Sequence, residues 1–293
     1  MRQIIVGNCT EKSSQLRCCA PVQGILCFLI INNLYEKNKS KNLFYIAYNK
    51  QFICCCYAIM PYILTLQKDV LEAAPIPLPL VILISILQST ILFAILIFFW
   101  LKLSDKLGFK TPILEKIISK EKANVDIKSI IKTSIILGFW VGIIIVLLDF
   151  LFTTSGTTIS IFQKSVPIWQ GFLASFYGWI SEEIVMRLFF MTTILWIASK
   201  LLKNNNIIKN KTIVWSAIII AALVFWVWHL PITASLTTVT PLVIFRALLL
   251  NGIWWLVFGW LYWKKGLESA IIAHFSTDII IQVVLPFSLL LFS

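Results

Sequence analysis

Ile168 to Leu201 reads IWQGFLASFYGWISEEIVMRLFFMTTILWIASKL, and this run settles the architecture. It is apolar almost throughout and far exceeds the about 20 residues an α-helix needs to cross a bilayer. At about 1.5 Å per residue it reaches about 50 Å, so it has to tilt, kink or project beyond the membrane. Its middle carries Glu182, Glu183 and Arg187. An ionisable group at mid-depth in hydrocarbon costs at least about 2.5–3.5 kcal/mol. A chain that keeps three of them there is building a polar site or a clamp.

Working outward, the same apolar texture recurs. Six spans are expected, roughly Pro77–Leu101, Ile130–Phe152, Ile168–Leu201, Thr212–Leu230, Pro241–Trp263 and Leu267–Phe292. The whole chain is 59% hydrophobic and 13% charged, outside the range of soluble globular domains. The fold expected is an all-α, polytopic membrane helix bundle. The net charge of +12 belongs to lysines between spans, where it marks cytoplasmic loops and meets anionic lipid rather than nucleic acid.

The first 59 residues differ. They mix Asn, Lys, Tyr, Ile and Cys without clear periodicity, and all seven cysteines precede residue 57. No zinc-ligand spacing is completed there, and the odd number argues against a closed disulfide set. The apolar pieces Gly24–Ile31 and Phe52–Leu66 are too short to span, and the second contains Pro61. No signal-peptide pattern appears. Residues 1–59 are therefore expected to be a poorly ordered N-terminal extension, and residues 60–293 the helical core.

Basic and non-basic loops alternate. Lys102–Lys132 holds eight lysines, Thr153–Pro167 one, Lys200–Lys211 four, Pro231–Thr240 none, and Lys264 and Lys265 follow the fifth span. The positive-inside rule places the first, third and fifth of these loops in the cytoplasm. Trp100, Trp169 and Trp263 near span ends read as interfacial anchors. In the first loop, Ile113, Leu114, Ile117 and Ile118 share one side of a stretch opened by Pro112. It reads equally as a short surface helix or as a solvated connector. No internal repeat supports an inverted-repeat transporter.

The only two histidines, His229 and His274, also lie in spans. Residues four apart share a helix face, so Glu183 and Arg187 are expected to pair, a structural role. Glu182 is turned about 100° from Glu183 and lacks a local partner. A carboxylate so placed in a low-dielectric site suits a general base or acid. His229 is expected to close a helix that Pro231 helps to end, with Phe225 one turn earlier packing against the site. His274 and Asp278 are again four apart; the Asp either orients the imidazole or lines a cavity. Arg246, Asn251 and Asp149 are candidate structural partners. Counted along straight helices, Glu182 and His229 come out about 27 Å deep and His274 about 14 Å, so upright rods would not let them meet.

Three motifs are now in hand: EExxxR (Glu182, Glu183, Arg187), FxxxH (Phe225, His229) and HxxxD (His274, Asp278). Their order on separate membrane helices resembles the CPBP family, the CAAX proteases and bacteriocin-processing enzymes also called Abi proteins. The resemblance extends to Gly266-Leu267-Glu268-Ser269-Ala270 and His229-Leu230-Pro231, and covers roughly Val81 to Leu291. It implies an intramembrane endopeptidase in which Glu182 and His229 activate water. His274 and Asp278 would stabilise the oxyanion or hold the site, and Glu183, Arg187 and Phe225 would support it. The family pattern ends in Asn or Asp. An ionised Asp278 accepts rather than donates, which leaves His274 as the better oxyanion donor.

Two His and one Glu also match a common zinc set, Glu182, His229 and His274, although the HExxH spacing is absent. A direct glutamate and histidine mechanism needs no metal, and both readings stand at this stage. The family implies a peptide or membrane-protein substrate within the bilayer, a prenylated C-terminus among the candidates. Usage rich in Ile, Lys and Asn points to an AT-rich genome and a prokaryotic plasma membrane. Buried ionisable groups also serve a transporter or proton relay, and a non-catalytic immunity or scaffold protein would keep the same residues for stability.

Overall fold

The computed structural model describes residues 40–68, 71, 75–119, 126–156 and 166–292. Among these the chain is all-helical, without a strand. In order come α1 (Ser40–Leu66), α2 (Leu78–Leu107), the short α3 (Pro112–Ser119), α4 (Ile127–Thr154) and α5 (Ile168–Glu183). Next are a π-helical segment (Ile184–Met191), α6 (Thr192–Leu201), α7 (Lys211–Leu236) and α8 (Pro241–Lys265). The last are α9 (Leu267–Ile279), a second π segment (Ile280–Val284) and α10 (Leu285–Phe292).

Among the described residues, six helices are long and apolar enough to cross a membrane: Leu78–Trp100, Ile127–Thr154, Ile168–Leu201, Lys211–Pro231, Pro241–Lys265 and Leu267–Leu291. These match the spans read from the sequence. This is an integral membrane protein. Its outer faces agree with that environment: on α2, Leu83, Leu87, Ile91 and Ile95 form an exposed apolar stripe at four-residue spacing. Phe93, Ile97 and Trp100 lie on the opposite, buried face. Trp100 is thus a core residue and not an interfacial anchor, because its stripe packs inward. Trp169 is exposed, as an anchor should be.

Local chemistry sets the helix starts. Asn210 Oδ1 accepts from Ile213 N at 3.2 Å to open α7, and Thr240 Oγ1 accepts from Val243 N at 3.3 Å to open α8 ahead of Pro241. Pro231 does not end α7; the helix continues to Leu236. A proline deprives the carbonyl four residues earlier, here that of Val227, of its backbone donor without ending the helix. Thr233 Oγ1 donates to His229 O at 3.0 Å in this same turn.

The first loop does contain a short helix, α3. It docks on the start of α9: Glu268 Oε1 accepts from Leu114 N at 3.0 Å and Leu267 N donates to Lys110 O at 3.4 Å. Gly266, at φ +97°, makes the close turn before α9; a Cβ there would lie 2.4 Å from Pro112 Cδ. The last span therefore begins inside the protein, with Leu267, Ser269 and Ala270 fully buried.

α1 packs against α5 and α2. Phe52 is fully buried and stacks on Phe93 at 3.6 Å, and Cys55 and Cys56 are buried beside it. The boundary read at residue 59 falls inside this helix, so residues 40–59 pack with the bundle. Residues 1–39, with Gly24–Ile31 and four of the cysteines, lie outside the described residues.

Candidate active site

α4, α5 and α9 approach one another closely, and glycine allows it. A Cβ on Gly138 of α4 would stand 2.1 Å from Ala273 O, one residue before His274. Thr277 Oγ1 donates to Gly138 O at 2.8 Å and pins the contact. On α5, a Cβ on Gly178 would come within 3.1 Å of Asp278 Oδ2 and 3.7 Å of His274 Nε2. Small residues at these crossings let backbones meet where lipid supplies no hydrophobic drive between helices.

Around His274 the first and third motifs interlock. Glu183 is fully buried; its Oε2 accepts from Arg187 Nε at 3.2 Å, the expected i, i+4 pair. Its Oε1 accepts from His274 Nδ1 at 3.0 Å. A carboxylate bound to a guanidinium can only accept, so Nδ1 carries the proton and the ring orientation is fixed by Glu183. The orienting partner of His274 is therefore Glu183. Asp278 Oδ2 instead faces the other ring nitrogen, Nε2, at 3.7 Å. Glu182 faces Nε2 as well, at 4.0 Å, and its side chain is 30% exposed while that of His274 is 2% exposed. The two glutamates thus part as their helical angles require, one sealed in the core and one open.

Both π segments directly follow site residues, Ile184–Met191 after Glu182 and Glu183 and Ile280–Val284 after His274 and Asp278. A π turn widens the helix and shifts the phase of everything beyond it, and such turns concentrate at functional sites. Thr192 Oγ1 donates to Arg187 O at 3.0 Å and lies 2.9 Å from Tyr262 Oη, tying the first widening to α8. The depth conflict between Glu182 and His274 dissolves for a related reason. The third span is longer than a bilayer needs and the sixth starts inside the protein, so counting from their ends misplaces both.

His229 occupies a separate position. Its Nδ1 donates to Phe225 O at 2.9 Å, and the Phe225 ring lies 4.0 Å from the imidazole. In the neutral ring this leaves Nε2 with a lone pair. His229 meets the other motifs across a cavity of about 210 Å³, whose lining includes His229, Thr233, Arg246, Asn251, Asp278 and Gln282. Arg246 Nε donates to the fully buried Asp149 Oδ1 at 2.7 Å, and Nη2 reaches the same oxygen. This pair joins α4 to α8 at the cavity wall. Asp278 is the side chain common to cavity and cluster.

Several contributors carry no sequence signal. Trp254, Trp255 and Phe258 of α8 enclose His274, with ring centroids 5.3, 6.3 and 5.2 Å away. In an apolar span rich in tryptophan, periodicity does not distinguish an inward ring from one facing lipid.

Residues 164–280 match the family model described as type II CAAX prenyl endopeptidase Rce1-like. The resemblance read from the three motifs is borne out. All three motifs lie inside the matched segment. No curated protein and no solved structure matches the chain.

A zinc set was one expectation for Glu182, His229 and His274. Among the described residues, no three His, Cys, Asp or Glu side chains are grouped to hold a metal ion. His274 Nε2 faces Glu182 at 4.0 Å, and His229 stands across the cavity. The three do not make a ligand set in this structure.

Proposed function

We propose that this protein is an intramembrane endopeptidase that hydrolyses a peptide bond with water activated at Glu182. The observation that carries the reading is the open Glu182 carboxylate facing the oriented Nε2 of His274 at 4.0 Å. That gap is too long for a direct hydrogen bond and suits a shared water or a substrate oxygen. Glu182 takes one proton as the water oxygen bonds to the scissile carbonyl carbon. The carbonyl π electrons move to its oxygen, where His274, as an imidazolium with protons on both Nδ1 and Nε2, meets the developing charge through Nε2. Collapse breaks the C–N bond, and Glu182 returns its proton to the leaving amine. Asp278 holds His274 from the Nε2 side. His229, through its Nε2 lone pair, accepts from the water or the amine on the cavity side. Glu183, Arg187 and Phe225 hold the acid–base groups in place.

The family name supports a peptide ending in a prenylated cysteine motif as substrate. The Ile-, Lys- and Asn-rich usage supports a prokaryotic plasma membrane as its place. The test is cleavage of farnesylated and unmodified C-terminal peptides by the purified protein in liposomes, beside a proton-flux measurement. Cleavage lost in Glu182→Gln and His274→Asn, with insertion retained, is the expected result. Proton flux that depends on these residues, with no cleavage, overturns it in favour of a relay. If the wild type cleaves only unmodified peptide, the prenylated substrate is dropped and the hydrolytic chemistry stands.

A further inference from the structure

The two histidines sit on different helices and do not touch, yet an unbroken series of contacts joins them. From His229 it passes to the Phe225 ring at 4.0 Å, and from Phe225 to the Trp255 ring, again at 4.0 Å. The face of Trp255 carries the Arg187 guanidinium at 4.0 Å. Arg187 Nε then binds Glu183, and Glu183 holds His274 Nδ1. Trp255 is the midpoint, 1% exposed, and belongs to none of the three motifs.

Arg187 makes this position consequential. Its side chain is fully buried, and among the described residues neither Nη1 nor Nη2 has a hydrogen-bond partner. Among the described residues, the Nε bond to Glu183 and the indole face locate the guanidinium. A desolvated cation over an indole is attracted by the ring quadrupole, so the face substitutes for absent hydrogen bonds. The same indole meets the Phe225 ring at 4.0 Å, so it limits how far that ring can turn from His229.

We propose that Trp255 is a positioning residue for both histidines, setting His274 through Arg187 and Glu183 and His229 through Phe225. The catalytic half of this statement rests on the peptidase reading; the structural half does not. Removing the indole frees the guanidinium to move, Glu183 follows it, and the imidazole loses its fixed proton. On the other arm, Phe225 gains a void to turn into.

The chain has only two histidines, so full-length protein labelled with ¹⁵N-histidine shows two imidazole systems, assigned with His229→Asn and His274→Asn. In Trp255→Leu both systems are expected to lose the wild-type pattern of a proton on Nδ1. In the cleavage assay kcat is expected to fall about 30-fold with KM within about threefold, since small misplacements of reacting groups cost up to about 100-fold. Trp255→Phe, which keeps an aromatic face, is expected to fall between the two. Unchanged imidazole signals in Trp255→Leu overturn the proposal whether or not the protein cleaves peptides. If Trp255→Leu does not fold, Trp255→Phe decides: wild-type signals in both rings overturn the proposal, and altered signals in both support it. A wild type without cleavage defeats the peptidase reading alone.

Discussion

The two sides of the polar centre are built differently. On the α5 and α9 side, Glu183, Arg187 and His274 are all at most 2% exposed and joined by bonds of 3.0 and 3.2 Å. On the α7 and α8 side, His229, Thr233, Asn251 and Arg246 surround a cavity of about 210 Å³. The closed side fixes proton positions before anything binds; the open side has room to admit a ligand. A hydrolytic site in a membrane needs both, because preorganised groups act strongly in a dry environment while substrate and water still have to arrive. Glu182 lies at the seam, held by neither side.

The largest effect should come from the seam. Glu182→Gln keeps shape and removes the proposed base, so cleavage is expected to fall by about 10²–10⁴-fold. Thermal unfolding in detergent should shift little, because the side chain is 30% exposed and makes no short ion pair. A large loss of stability in this variant would mean that the seam belongs to the closed side after all.

Glu183→Ala should behave in the opposite sense. It strands the buried Arg187 and removes the acceptor for His274 Nδ1. Breaking such a pair by deleting one partner costs about 3–5 kcal/mol. Unfolding at a clearly lower temperature is expected even before activity is considered. Equal stability of Glu182→Gln and Glu183→Ala would erase the contrast between the neighbouring glutamates.

That contrast was legible in the sequence, and the reason is geometric. Residues 182 and 183 are neighbours at the end of α5, where the angle between them is nearly fixed, and the four-residue pairing with Arg187 holds into the π segment. The six spans were legible because hydrocarbon admits helices of one length class. What could not be read is which helices meet. The sequence left Asp278 either to orient His274 or to line a cavity; Asp278 lines the cavity, and Glu183, far away along the chain, took Nδ1. It offered Pro231 as a terminus, and the helix runs on to Leu236. Trp100 lay near a span end and turned out to face inward. For His274 and Trp100 a tertiary contact outweighed a local rule, and α1 was hidden for the same reason, since its apolar part is short and its packing on α5 leaves no periodic trace.

Closer to the backbone, Gly138→Ala tests how the closed side is assembled. A Cβ 2.1 Å from Ala273 O cannot be accommodated without moving α4 or α9. Overpacking of this kind costs about 1–3 kcal/mol. Because Ala273 precedes His274, part of the displacement should reach the imidazole, so activity is expected to fall by more than the loss of folded protein explains. Wild-type stability would show that the crossing relaxes freely and that the closed side is less rigid than its hydrogen bonds imply.

Asn251→Ala should have the smallest effect, and it speaks for the open side. Asn251 Nδ2 donates to Ala247 O within its own helix at 2.8 Å, so its removal strands no distant partner, and the side chain lines the cavity. Truncation enlarges a space that is already open and leaves no charge uncompensated, so stability should stay within about 0.5 kcal/mol. Its consequence, if the cavity receives substrate, is a weaker grip without a change in chemistry. KM should rise a few-fold while kcat holds, the pattern of an interaction made equally in ground and transition states. A fall in kcat at constant KM would instead place Asn251 among the groups that hold the reacting atoms, and the division between a closed catalytic side and an open receiving side would have to be redrawn through α8.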